Sequence, residues 1–217
     1  MQKKTFFIPV IVLVIAALAC SVPGLPGVGG DGSLYKDDFS SSGSGWSTFT
    51  SENSSVDYAN GEYVMKVFTD QWFVWGSPGE TSLSNVHIEA TVKNVGNTAD
   101  TSFGLMCNYA SDTQHYYMGI DSQGYYAIAK VDGTTEIFLT NDDEWAQSDA
   151  ITKSAPSYRL GADCANGTLT LYVDGQQIDT ASDSAFTTGD VGLFAWTEAE
   201  INAEIHFDDL VVTSVGQ

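Results

Sequence analysis

The sequence predicts an all-β fold, a two-sheet antiparallel sandwich. Three observations carry that expectation. Apolar and polar residues alternate with period two in segment after segment, while helical periodicity is nearly absent. The segments are separated by Asn60-Gly61, Gln123-Gly124, Asp132-Gly133, Asn166-Gly167 and Asp174-Gly175. Asn-Gly and Asp-Gly supply the positive φ angles of tight hairpins. Finally, aromatic residues make up 12% of the chain and charged ones only 17%, a composition that argues against disorder and against a helical bundle.

The chain opens with a segment that does not belong to that domain. Lys3 and Lys4 precede an uncharged, mostly apolar run from Phe6 to Ala19. The run is about fourteen residues, short of the roughly twenty a spanning helix needs, and fits the core of a secretory signal. It ends Ala17-Leu18-Ala19-Cys20, which resembles the lipobox of bacterial lipoproteins. The resemblance implies lipidation of Cys20, anchoring to a membrane and an extracytoplasmic location. Palmitate-type acyl chains would hold the protein there, each buried methylene contributing about 0.8 kcal/mol. A branched aliphatic residue is usual where Ala17 stands, and Ala17-x-Ala19 also suits ordinary signal peptidase, so simple secretion stays open.

Residues 20–33 are Gly/Pro-rich and aperiodic, a flexible tether. Gly27, Gly29 and Gly32 match G-x-G-x-x-G, but no strand precedes and no helix follows, so a nucleotide site is not read there. The remainder, 34–217, is long enough for one domain with a substantial core.

Strands are expected at 34–39, 56–68 (broken near Asn60-Gly61), 71–76, 86–93, 101–109, 114–121, 124–131, 134–140, 157–164, 168–174, 176–181, 190–197 and 198–208. The last is amphipathic, with Ala199, Ile201, Ala203, Ile205 and Phe207 on one face. Residues 141–156 form the longest break. Cys107 and Cys164 each alternate in step with apolar neighbours and point inward. In an exported protein two such cysteines read as a disulfide, with two buried thiols as the alternative.

Removing residues 1–19 takes away two lysines and no acid. The 8 basic residues then become 6, set against 28 acidic ones, for a net charge near −22. Nucleic acid is excluded as a partner, because phosphate binding needs a basic footprint.

Tyr35-Lys36-Asp37-Asp38-Phe39 followed by Ser44-Gly45-Trp46 resembles the opening of lipoproteins that carry a concanavalin A-like lectin/glucanase domain. Gly61-Glu62-Tyr63, Phe103-Gly104-Leu105-Met106-Cys107, Leu169-Thr170-Leu171-Tyr172-Val173-Asp174-Gly175 and Phe207-Asp208-Asp209-Leu210-Val211-Val212 resemble that group too. The likeness spans nearly all of 34–213. It implies a jelly roll with its first and last strands adjacent, a fold shared with 3-keto-disaccharide hydrolase domains. It implies a sugar-related role only loosely, since one fold hosts many functions.

Laminarinase-type members carry E-x-D-x-x-E on one strand. The nearest segment here is Glu198, Glu200 and Glu204, with different spacing and no central Asp. Two same-face carboxylates about 5 Å apart suit a retaining glycosidase, and an acidic solvent face explains the same residues. His87, His115 and His206 are far apart and show no zinc spacing. If the terminal strands pair, Asp37, Asp38, Asp208 and Asp209 cluster and a structural calcium would relieve their repulsion; solvent-facing acids are the alternative.

Aromatics give the clearest functional lead. Flat rings stack on pyranose faces, and Trp72, Trp75, Tyr117, Tyr126, Trp145 and Trp196 are the candidates for glycan contact, although a sandwich core also consumes aromatics. Three readings follow: a surface-displayed, non-catalytic carbohydrate-binding domain; a structural or protein-interaction domain of the envelope without a small ligand; and a glycoside hydrolase.

Overall fold

The computed structural model describes residues 32–79, 81–141 and 144–215. The signal segment, Cys20 and the tether up to residue 31 lie outside the described residues. Among the described residues sixteen strands form two antiparallel sheets.

The first sheet runs in the order β14 (Gln176–Ser182), β13 (Thr168–Val173), β12 (Tyr158–Ala165), β6 (Val86–Asn94), β16 (Ala203–Ser214), β4 (Glu62–Val67), β3 (Ser54–Ala59) and β2 (Phe49–Thr50). Its ninth strand, β1 (Ser33–Asp37), pairs with the far half of β16, Tyr35 opposite Val212 and Asp37 opposite Leu210. The first and last strands are therefore adjacent, as the jelly-roll resemblance implies.

In the second sheet the order is β5 (Trp72–Gly76), β15 (Asp190–Thr197), β7 (Thr101–Ser111), β8 (Gln114–Asp121) and β9 (Tyr125–Asp132). Both β10 (Thr135–Phe138) and the short β11 (Ala146–Gln147) pair with β9. That two-residue strand interrupts the long break expected at 141–156.

Local sequence explains the hairpins. Asn60, Asn166 and Asp174 take φ values of 55°, 52° and 51°, and each is followed by a glycine with positive φ. Two consecutive positive φ angles match the right-handed twist of the flanking strands. Between the sheets, alternate residues such as Ile88, Ala90, Leu105, Met118, Ile205 and Phe207 are fully buried. Cys107 on β7 and Cys164 on β12 form a disulfide across this core, joining one sheet to the other.

The opening motif has a packing role. Phe39 stacks on Tyr63 at 5.3 Å, Trp46 meets both rings within 5.3 Å, and the Trp46 indole donates to the Tyr35 hydroxyl at 3.0 Å. These aromatics close the sandwich where β1 ends.

Segment 198–208 departs from expectation. Its strand begins only at Ala203 and runs on to Ser214. Strands β15 and β16 belong to opposite sheets, so the chain must cross between them, and residues 198–202 make that crossing. Ile201 is accordingly 55% exposed rather than inward.

Candidate functional site

The second sheet is apolar on both faces. Its inner face meets the core, and its outer face carries a separate cluster in which Met106, Tyr117, Ala129 and Phe194 are buried. Strand parity assembles this outer cluster. Phe73 and Trp75 alternate with Val74, Phe194 and Trp196 with Ala195, and Tyr117 with the core residues Tyr116 and Met118.

Phe194 is the floor. It pairs with Gly104, which pairs in turn with Gly119 on β8. A Cβ built on Gly104 would stand 2.7 Å from the Phe194 ring, and one on Gly119 would stand 2.6 Å from it. Only glycines let the ring lie flat on the backbone at both positions. Phe73 stacks on Phe194 at 5.1 Å and 16°, and Tyr117 meets it edge-on at 5.2 Å.

Above this floor lies a cavity of about 450 Å³. Its walls include Trp75, Phe138, Trp145 and Trp196, and its polar lining comes from Asp112, His115, Glu136 and Tyr117. The Tyr117 hydroxyl donates to Glu136, and the Tyr109 hydroxyl donates to Asp112 at 2.7 Å. Burial, then the neighbouring carboxylate, pushes both phenols above their ordinary range, so they stay protonated and hold the two carboxylates in place. His115 is 3% exposed, and burial lowers its pKa. Its Nδ1 lies 3.2 Å from the Ser111 carbonyl oxygen, which can only accept, so Nδ1 carries the proton. Nε2 is then an acceptor, buried, with no partner among the described residues.

Four of the six expected glycan-contact residues, Trp75, Tyr117, Trp145 and Trp196, thus line one cavity. The other two do not join it. Trp72 has the opposite parity to Trp75 and lies at the sandwich edge, its indole donating to Ser54 Oγ at 3.1 Å. Tyr126 packs against the inner core, and its hydroxyl donates to Asp179 at 2.9 Å. Neither the sequence count of rings nor their clustering reports parity. Phe73, Phe138, Phe194, Asp112, His115 and Glu136 line the cavity as well, outside the set of rings that the sequence offers as ligand contacts. Period-two spacing from Trp75, Tyr117 and Trp196 would have found Phe73, His115 and Phe194.

The carboxylates nearest to a catalytic motif, Glu198, Glu200 and Glu204, are dispersed. Glu198 and Glu200 stand on the crossing, not on a strand, and Glu200 accepts from the Asp100 amide at 3.3 Å. Burial, then Asp100, raises the Glu200 pKa. Glu204 lies on the outer face of the first sheet, bonded to His206 at 2.9 Å and Lys66 at 3.1 Å. It therefore faces away from the aromatic cavity. The expectation of three carboxylates on one strand is corrected by the crossing at 198–202.

Three of the four aspartates expected around a calcium have carboxylates engaged locally. Asp37 accepts from the Phe39 amide at 2.8 Å, Asp38 from Ser40, and Asp208 from the backbone amide of the fourth, Asp209. Among the described residues no group of three or more His, Cys, Asp or Glu side chains is placed to hold a metal ion.

With this geometry in view, the fold is an all-β, two-sheet antiparallel jelly-roll sandwich, matching the folds of solved jelly-roll proteins. Among solved structures it is similar to the carbohydrate-binding module CBM66 from Bacillus subtilis, at TM-score 0.61 and 18% identity, covering 78% of this chain and 96% of that one. A β-glucanase of Bacillus licheniformis gives TM-score 0.60 at 14% identity, covering 86% and 100%. A Bacteroides ovatus mixed-linkage glucan GH16 protein, solved with a product, gives 0.58 at 13% identity, covering 82% and 99%. At such identities the likeness establishes fold. No family model and no curated protein sequence matches the chain.

Proposed function

We propose that this domain is a non-catalytic carbohydrate-binding module displayed outside the cytoplasm on a lipid anchor at Cys20. The observation that carries the binding reading is the continuous aromatic cavity on the outer face of the second sheet. It combines ring and indole walls, set on a buried phenylalanine base, with fixed acceptors, the combination that suits the apolar faces and hydroxyl edges of a sugar. Sugar-binding and glucan-directed names recur among proteins of this fold, which is consistent with the reading. Dispersal of Glu198, Glu200 and Glu204 favours binding over cleavage.

Affinity electrophoresis against a panel of polysaccharides tests it. Retention is expected on at least one polymer, without release of reducing sugar. Trp75→Ala and Trp145→Ala should each weaken retention roughly tenfold or more, as truncating a buried aromatic anchor does. Their unfolding midpoints should stay close to the parent's. Absence of retention on every polymer would sink the binding reading.

Export rests on the signal-like segment, and the buried Cys107–Cys164 disulfide suits an oxidising compartment. In a bacterial host, Cys20→Ser should abolish incorporation of labelled palmitate and move the protein from the membrane fraction to the soluble one. Unchanged membrane association of Cys20→Ser would argue for a different tether.

A further inference from the structure

The polar groups that line the aromatic cavity are strongly biased in one direction. Asp112 and Glu136 are acceptors, and each retains free lone pairs after accepting its tyrosine's hydrogen bond, since a carboxylate offers about four acceptor sites. His115 Nε2 is a third acceptor, 3% exposed as a residue and without a partner among the described residues. Among the described residues no lysine or arginine lines the cavity. Among the described lining residues, the further side chains able to donate are the indoles of Trp75, Trp145 and Trp196, which carry no charge.

Three kinds of sugar would meet this lining differently. A uronate or sulfated sugar would bring a negative charge against two carboxylates with no basic side chain to compensate its lost hydration. Hydroxyls of a neutral sugar would find acceptors and ring faces but no charge complement. A protonated amine would supply three donors to a site of acceptors, would make charge-assisted bonds to carboxylates, and would sit among aromatic faces that attract cations.

We infer that the cavity selects a glycan bearing a free, protonated amine, a de-N-acetylated amino sugar, over its neutral and anionic counterparts. This inference rests on the carbohydrate-binding reading above and specifies the ligand class for the same site.

Titration calorimetry on the full chain with four tetrasaccharides tests it: β-1,4-glucosamine, its fully N-acetylated form, cellotetraose and tetragalacturonate. The glucosamine tetramer should bind at least ~10-fold more tightly than the other three. In Glu136→Gln with Asp112→Asn the preference for the amine over cellotetraose should collapse toward unity. Both positions are solvent-exposed, so the fold tolerates the change. Trp75→Ala controls for general attraction of a polycation to an acidic protein. If amine binding persists undiminished in that variant, the surface rather than the cavity is responsible and the inference is overturned. Equal or tighter binding of a neutral or N-acetylated tetramer would also overturn it while leaving the module reading intact. So would failure of the amine tetramer to bind a protein that still retains some polysaccharide in electrophoresis. Failure of every tetramer and every polysaccharide would remove the module reading and this inference together.

Discussion

Replacing both Cys107 and Cys164 with alanine is expected to lower the stability of the domain by about 4 kcal/mol. The bridged residues are 57 apart in sequence and sit on different sheets, Cys107 on β7 and Cys164 on β12. In the chain-entropy account, opening a loop of that length returns about 4 kcal/mol of freedom to the unfolded chain at 25 °C. Both side chains are buried, 0% and 2% exposed, so no solvent-facing interaction offsets the loss. Alanine is the right replacement, because serine would add two hydroxyls to a core without partners. A domain of this size has a stability of roughly 5–15 kcal/mol, so the variant should remain folded in water and be measurable. Urea unfolding in a Cys20→Ser background checks this: a lower midpoint is expected, matched by adding reductant to the parent. A loss below about 1 kcal/mol would mean that interdigitation of the two inner faces, not the crosslink, holds the sheets together.

That crosslink illustrates what a sequence of this kind makes legible. Period-two alternation gives the direction of each cysteine, and compartment chemistry gives the pairing. The hairpins are equally legible, since the positive φ at Asn60, Asn166 and Asp174 is written in the residue type itself. Register between distant strands is not written locally. Glu136 reaches Tyr117 across the intervening strand β9, where Glu136 stands opposite Val131 and Phe138 opposite Ala129. Nothing in the spacing of residues 117 and 136 predicts that meeting. The crossing at 198–202 shows the opposite error. Alternation continues through it by composition, yet the requirement to change sheets outweighs the pattern, and Ile201 is left exposed.

Parity was the missing quantity at the site. A sheet with one solvated face declares its parity through polar residues. The second sheet does not, because both of its faces are apolar. Adjacent rings such as Tyr116 and Tyr117 then look equivalent in sequence. In the fold Tyr116 enters the inner core and Tyr117 enters the cavity. The glycine pair Gly104 and Gly119 is the local sign that would have resolved it. Two glycines opposite each other inside long strands weaken both strands unless something large lies over them.

What lies over them is Phe194, and its removal gives the last large effect. Phe194→Ala is expected to cost about 3–5 kcal/mol, the usual range for deleting a fully buried phenyl ring. The upper half of that range is the better expectation here. The ring is 1% exposed, and beneath it are Gly104 and Gly119, which have no side chains to move into the gap. Phe73 and Tyr117 lose their ring partner together. Phe194→Leu keeps much of the volume and should cost less, about 1–2 kcal/mol, through shape mismatch and the lost ring contacts. Chemical denaturation should show both losses as shifts in midpoint at constant slope. Ligand binding should fall in Phe194→Ala beyond what the remaining folded fraction explains, because Phe73 and Tyr117, which line the cavity, would lose the buried ring that positions them. A Phe194→Ala protein of parental stability would show that the outer cluster is a surface ornament of the sheet rather than a second core, and the cavity would lose the rigid base on which its selectivity depends.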